Sequence, residues 1–315
     1  MTTAAPRILF VGAVEEGRRC LDALVASGER FCGIVTLKES LAAATSGAVP
    51  FDDVAAAQRI PILKVGDLNA QANVARVEAL APDLILVIGW TRLLGPRILR
   101  LPPLGCVGFH ASLLPRYRGR APVNWALING EAATGNTMFF LDEGVDTGDI
   151  IAQRRIAIAL EDTCATLYRK VSDAATGMLA EYLPLLKTGR ARRWPQDHSM
   201  ATVMPRRRPE DGVIDWGRSS GELHNWVRAL THPYPGAFTW FGGTRLFVWE
   251  ARDAGGEAMG PPGLVMTREG SDLLVAAAAG RLAIRSAQWE GRTEGPAAAM
   301  TELIGRRLDG ARGEG

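Results

Sequence analysis

The chain opens on a short run of buried-type residues, Arg7-Ile-Leu-Phe-Val-Gly12, with no polar residue breaking its apolar centre. Such a run fits a strand covered on both faces, as in a parallel sheet. Comparable runs recur at Phe31 to Leu37, Ile62 to Val65, Asp83 to Gly89 and Cys106 to His110. Between them, Glu16 to Ser27, Phe51 to Gln58 and Leu68 to Leu80 read as helices from their apolar spacing. Strands alternating with helices at this pace predict an α/β domain with a mainly parallel sheet. Ligands of such sheets gather beyond the carboxyl ends of the strands, where Gly12, Gly89 and His110 stand.

The pattern then changes. Thr163 to Leu186 reads as one long amphipathic helix, capped by Thr163 and closed by Lys187 and Gly189. Arg190 to Asp211 is rich in Arg and Pro without periodicity, which predicts a linker. A helix near Ser219 to Thr231 precedes short strands at Ala237 to Phe241, Thr244 to Trp249, Leu273 to Ala277 and Arg281 to Ala287. Short strands with glycine turns suggest a small β-barrel or sandwich. The expected organisation is a catalytic domain over 1–189, a linker over 190–211, a β domain over 212–295 and a fraying tail over 296–315.

Composition narrows the function classes. The 315 residues suffice for about two domains. With 36 Lys+Arg against 34 Asp+Glu the net charge is +2, which argues against a dedicated nucleic-acid binder while leaving room for a local patch. Cys20, Cys32, Cys106 and Cys164 show no C-x-x-C spacing, and no His is paired with Cys at ligand spacing, so reduced packing thiols and no metal are expected. Neither a signal peptide nor an apolar run of membrane-spanning length is seen, which points to a soluble, cytoplasmic protein.

Two clusters could carry chemistry. In the first, His110 ends an apolar strand, and Ser112-Leu-Leu-Pro-Arg-Tyr-Arg-Gly-Arg-Ala-Pro122 follows with no core-forming pattern. Arg116, Arg118 and Arg120 there either bind an anion or form a solvated face. In the second, Asp142, Glu143, Asp146 and Asp149 sit with Gly144 and Gly148 between apparent strands. It lacks the order of a calcium loop. It reads either as a plain hairpin turn or as the carboxylate half of a His–carboxylate acid/base unit.

His110, Ser112-Leu-Leu-Pro115, Arg118-Gly119, Ala121-Pro122 and Asp146-Thr-Gly-Asp149 together resemble the folate-dependent formyltransferase family. His224-Asn-Trp-Val-Arg-Ala-Leu230 and Tyr234-Pro-Gly-Ala-Phe238 resemble the start of its C-terminal domain. The resemblance implies a Rossmann-like, mainly parallel sheet followed by a smaller OB-like β-barrel. It implies His110 and Asp146 as catalytic residues and 10-formyltetrahydrofolate as formyl donor. It places the donor against Val87, Ile88, Gly89, Trp90, Leu93 and Leu94, and against the loop carrying Asp142 and Gly144. Asp146 would then orient His110 and favour its charged form. Ser112, Arg116, Arg118 and Arg120 are the expected acceptor-binding residues.

Gly108 departs from this pattern, because the family's transferases usually carry an Asn oxyanion donor two residues before the His. Either a water or another amide replaces it, or the acceptor is more reactive, or transfer has been lost; Asn136, where the family prefers an apolar residue, is the nearby amide that could substitute, although local backbone bonding at a strand start is its first reading. The run Arg118-Gly-Arg-Ala-Pro-x-Asn-Trp125 is closest to sugar-modifying members, so a nucleotide-linked amino sugar is the expected acceptor. Methionyl-tRNA ranks second, with formyl hydrolysis or folate binding without turnover behind it. A homodimer stays open.

Overall fold

A computed structural model describes residues 5–310. They form two compact units. The first holds residues up to Pro122 together with Ala133–Ala157 and Tyr168–Pro205; the second holds Val123–Ala132, Ile158–Leu167 and the residues from Arg206 onward.

In chain order the first unit is built from β1 (Ile8–Val11), α1 (Glu15–Ala26), β2 (Phe31–Leu37), α2 (Glu39–Ala42), α3 (Asp52–Gln58), β3 (Ile62–Val65), α4 (Gln71–Ala79), β4 (Leu84–Val87), α5 (Pro96–Leu99), β5 (Cys106–His110) and β6 (Arg118–Gly119). After α6 (Pro122–Ile128), which from Val123 onward belongs to the second unit, come β7 (Ala133–Phe140), β8 (Ile150–Ala157), α7 (Cys164–Lys187) and β9 (Val203–Met204). The main sheet runs β3-β2-β1-β4-β5-β7-β8. It is parallel from β3 to β5, and β7 and β8 add antiparallel.

The unbroken apolar runs of β1 and β4 follow from burial on both faces. Ile8, Phe10, Leu84 and Leu86 share one core cluster with Leu21 and Leu24 of α1 and Met178 and Leu183 of α7. Leu9, Val11, Ile85 and Val87 share the other with Val74 and Val77 of α4 and Ile98 of α5. Full burial of each such side chain stabilises by about 1.5–3 kcal/mol. The chain crosses over between β1 and β4, so the sheet opens a crevice beyond Gly12 and Ile88. Beside it stands His110, at the end of β5.

The stretch expected as a linker over 190–211 is divided, and its first part is built into the first unit. Trp194 exchanges backbone hydrogen bonds with Ile150 (2.9 and 3.0 Å), and β9 pairs in parallel with β6. Single extended segments of this kind carry no periodic signature, which is why the sequence pattern reads as loop.

The second unit adds α8 (Ser220–Leu230), β10 (Ala237–Phe241), β11 (Thr244–Asp253), β12 (Val265–Glu269), β13 (Asp272–Ala276), β14 (Arg281–Trp289) and β15 (Gly295–Pro296). Its antiparallel sheet is ordered β10-β11-β14-β13-β12, with β15 on β14. The segment Arg306 to Asp309 joins the two edges. Val265 N donates to Arg306 O (2.8 Å) beside β12, and Trp240 and Asp309 exchange backbone bonds (2.9 and 2.8 Å) on β10. The sheet is thereby closed as a small barrel. Over 296–310 the tail thus does not fray as expected, since Leu303 and Leu308 are buried; residues 311–315 lie outside the described residues.

Among the described residues no helix is long and apolar enough to cross a membrane. None of their His, Cys, Asp and Glu side chains form a group of three or more placed to hold a metal ion. Burial pushes the Cys106 and Cys164 thiols up to about 12, so both are packing groups rather than nucleophiles.

Candidate active site

The site grows from two turns that meet at the end of β5. His110 is buried, and its Nε2 donates to the Tyr117 carbonyl at 2.6 Å. A carbonyl only accepts, so the ring carries its proton on Nε2 and turns Nδ1 toward Asp146, whose Oδ2 lies 3.5 Å away. That separation is longer than a hydrogen bond, and the contact becomes an ion pair only when Nδ1 carries a proton as well. Asp146 Oδ2 also accepts from Gly119 N at 2.8 Å. Tyr117 (φ 60°) and Asp146 (φ 54°) both hold left-handed backbone, a conformation that persists in a non-glycine residue only where the surroundings enforce it.

Local sequence explains the Asp146 turn. Asp142 Oδ1 accepts from Gly144 N (3.1 Å) and Thr147 Oγ1 (2.7 Å), forming an Asx-type turn. At Gly148 a Cβ would lie 1.8 Å from the Phe140 carbonyl, so only glycine fits. The other support comes from far along the chain. Gln196 Nε2 donates to the carbonyls of Asp146 (2.9 Å) and Gly148 (2.7 Å). Its Oε1 accepts from Arg118 Nη2 (2.6 Å) and Nε (3.2 Å), and Arg118 Nη2 also faces His198 Nδ1 at 3.1 Å. Gln196 lay in the expected linker, and nothing in its sequence neighbourhood marks it.

The remaining expected residues divide into those near the pair and those apart from it. Ser112 is buried and donates to the Arg116 carbonyl (2.7 Å), which shapes its own loop. Arg118 is buried and engaged as described. Arg116 and Arg120 are exposed; Arg116 lies over the Tyr117 ring, and Arg120 Nη1 donates to Thr91 O (2.7 Å), tying this loop to the one after β4. In that second loop Val87, Ile88 and Leu94 are buried, Leu93 is exposed, and Gly89 packs against Gly17 with φ 63°. Trp90 Nε1 is buried without an acceptor.

Asn136 is not brought to the pair. Thr137, its neighbour in β7, is the residue opposite His110, and successive strand residues face opposite sides of a sheet. Asn136 Nδ2 instead donates to Glu16 Oε1 (3.1 Å) and Val171 O (3.0 Å). Burial pushes the Glu16 carboxyl up to about 7, against the opposing pull of the Asn136 hydrogen bond. Gly108 does share the His110 face, but Leu141 stands over it: a Cβ there would lie 2.6 Å from Leu141 Cδ2.

A histidine and a carboxylate held at a strand end beside the crevice of a parallel sheet define an α/β enzyme equipped to move a proton. Residues 7–183 match the formyl transferase family and residues 207–302 its C-terminal domain, and the chain belongs to that family of enzymes. It is 36% identical to methionyl-tRNA formyltransferase of Geobacter sulfurreducens, over 97% of this chain and 96% of that one. Identity to methionyl-tRNA formyltransferase of Pelobacter propionicus is 38%, over 90% and 89%. Among solved structures, HypX from Aquifex aeolicus in complex with tetrahydrofolic acid matches 95% of this chain with a TM-score of 0.68 at 19% identity. The chain spans about half of HypX (47%). WlaRD, a sugar 3N-formyl transferase solved with dTDP and 5-N-formyl-THF, matches 92% of this chain and 100% of its own, with a TM-score of 0.66 at 16% identity. Likeness at these identities shows the fold.

Proposed function

We propose that this protein transfers the formyl group of 10-formyltetrahydrofolate to the α-amino group of methionyl-tRNA. The observation that carries the acceptor is the end-to-end similarity, at 36–38% identity, to methionyl-tRNA formyltransferases. Support for the donor comes from the folates in HypX and WlaRD. The unpartnered indole N–H of Trp90 fits such a ligand, because a buried donor without an acceptor is unfavourable until one arrives.

The expectation of an amino-sugar acceptor rested on Arg118-Gly-Arg-Ala-Pro-x-Asn-Trp125. In the structure those side chains serve internal bonds: Arg118 on Gln196, Arg120 on Thr91 O, and Asn124 Nδ2 on Ala229 O (2.6 Å). Within the second unit, Arg207 lies over both Trp125 (5.3 Å) and Trp226 (4.6 Å), Arg218 lies over Trp226, and Arg206 and Arg208 are exposed. This local Arg–aromatic patch is hidden in a net charge of +2 and suits a nucleic acid.

In this mechanism the acceptor nitrogen bonds to the formyl carbon, and its proton passes to the His110–Asp146 pair. The bond from that carbon to N10 of the folate then breaks, and N10 takes the proton. Tyr117 O holds the Nε2 proton in place, so Nδ1 and Asp146 Oδ2 are the atoms left to take up the proton of the acceptor nitrogen. The test is formyl incorporation from 10-formyltetrahydrofolate into methionyl-tRNA, beside a panel of nucleotide-linked amino sugars and an acceptor-free control. Formyl-methionyl-tRNA is the expected product. Turnover on an amino sugar alone would reverse the acceptor assignment, and equal donor loss without acceptor would make the protein a hydrolase.

A further inference from the structure

We propose that Gln196 and Arg118 are positioning residues that set the Asp146 carboxylate for proton transfer. The inference rests on the reading of Asp146 given above. Asp146 occupies left-handed backbone (φ 54°), a conformation that non-glycine residues seldom hold without outside support. One side-chain amide supplies it, gripping the carbonyls of Asp146 and Gly148 at 2.9 and 2.7 Å.

An amide can turn end for end with little change of shape, and here Arg118 decides which end faces the turn. A guanidinium only donates, so Gln196 must present Oε1 to Arg118 and Nε2 to the two carbonyls. Both side chains are buried, and among the described residues Arg118 is paired with no carboxylate. A buried cation held by neutral partners is a poor device for stability alone. The next residue completes the grip, because Gly119 N donates to the Asp146 carboxylate itself. The Arg118-Gly119 dipeptide therefore holds Asp146 twice, at the carboxylate directly and at the backbone through Gln196.

The experiment is a double-mutant cycle on full-length protein, measuring kcat and KM for 10-formyltetrahydrofolate with methionyl-tRNA, or with whichever amino sugar replaces it. Gln196→Ala and the isosteric Gln196→Glu are each made with Asp146 intact and with Asp146→Asn. Gln196→Glu keeps the Arg118 contact but turns an oxygen toward both carbonyls. Displacement of a catalytic group by about 1 Å can cost roughly 100-fold, so each variant is expected to lose about 10- to 100-fold in kcat with KM within about twofold. In the Asp146→Asn background the further loss should be under about twofold, because residues acting through one group are non-additive. Equal losses in both backgrounds, an unchanged kcat in Gln196→Glu, or a change in KM alone would overturn the inference. A silent Asp146→Asn would instead remove the reading on which it rests. Should Gln196→Ala fail to fold, Gln196→Glu carries the cycle.

Discussion

Asp146 gathers more support than its exposed loop would suggest, and its substitution is the sharpest test at the residue scale. Asp146→Asn preserves shape and removes the charge facing His110 Nδ1. We expect kcat to fall by about 100-fold or more with KM near that of the wild type, checked by steady-state kinetics; a change in KM alone would make Asp146 a binding residue. Gly108 is the second test. An Asn there must displace Leu141, whose Cδ2 stands 2.6 Å from the new Cβ. Gly108→Asn should therefore destabilise by about 1–3 kcal/mol in urea unfolding and slow transfer, with Leu141→Ala relieving part of both effects. A tenfold faster single variant would mean that the amide donor had simply been missing. Glu16 is the third. Its folded carboxyl keeps its proton up to about 7, while the unfolded chain releases it near 4.5, so wild-type stability declines as pH rises through that window. Glu16→Gln lacks this decline. Its melting temperature relative to wild type should climb from pH 5 to pH 8, and a constant difference would show that Glu16 is solvated.

At the scale of the elements, the periodic segments were legible and the aperiodic ones were not. The strands at Phe31–Leu37, Ile62–Val65, Cys106–His110 and Ala237–Phe241 match the sequence reading to the residue. Each is apolar enough to require burial, whichever partner supplies it. β12 escaped because Thr267-Arg-Glu269 is polar and exposed and only Val265 is buried. α6 escaped because it is short and begins directly at Pro122, inside what read as a continuous loop. The helix α8 shows the opposite case, a boundary written in local chemistry. Ser219 Oγ accepts from Glu222 N, and Glu222 Oε2 accepts from Ser219 N in return. Ser219→Ala breaks this reciprocal cap and is expected to lower stability by about 1 kcal/mol in chemical denaturation, with activity retained.

At the scale of the whole molecule, the C-terminal segment settles how the second unit is closed. Leu308 is buried within the segment that joins the β10 and β12 edges. Leu308→Ala is expected to cost about 2–5 kcal/mol in thermal unfolding and to expose two sheet edges to association, visible by light scattering; an unchanged melting temperature would show that the barrel closes without it. The sequence by itself determined the α/β class, the order of its strong strands and the family, and it singled out His110 and Asp146, which the structure brings within 3.5 Å of each other, because burial on both faces and short motifs leave local marks. Only the tertiary structure decided which face Asn136 takes, that Arg118 is buried, that Gln196 holds Asp146 from 50 residues away, and that the tail is a strand partner. Strand register sets the first, since a shift of one residue exchanges the two faces of a sheet. The others depend on hydrogen bonds between segments distant along the chain, and neither partner of such a bond carries a local pattern that names the other.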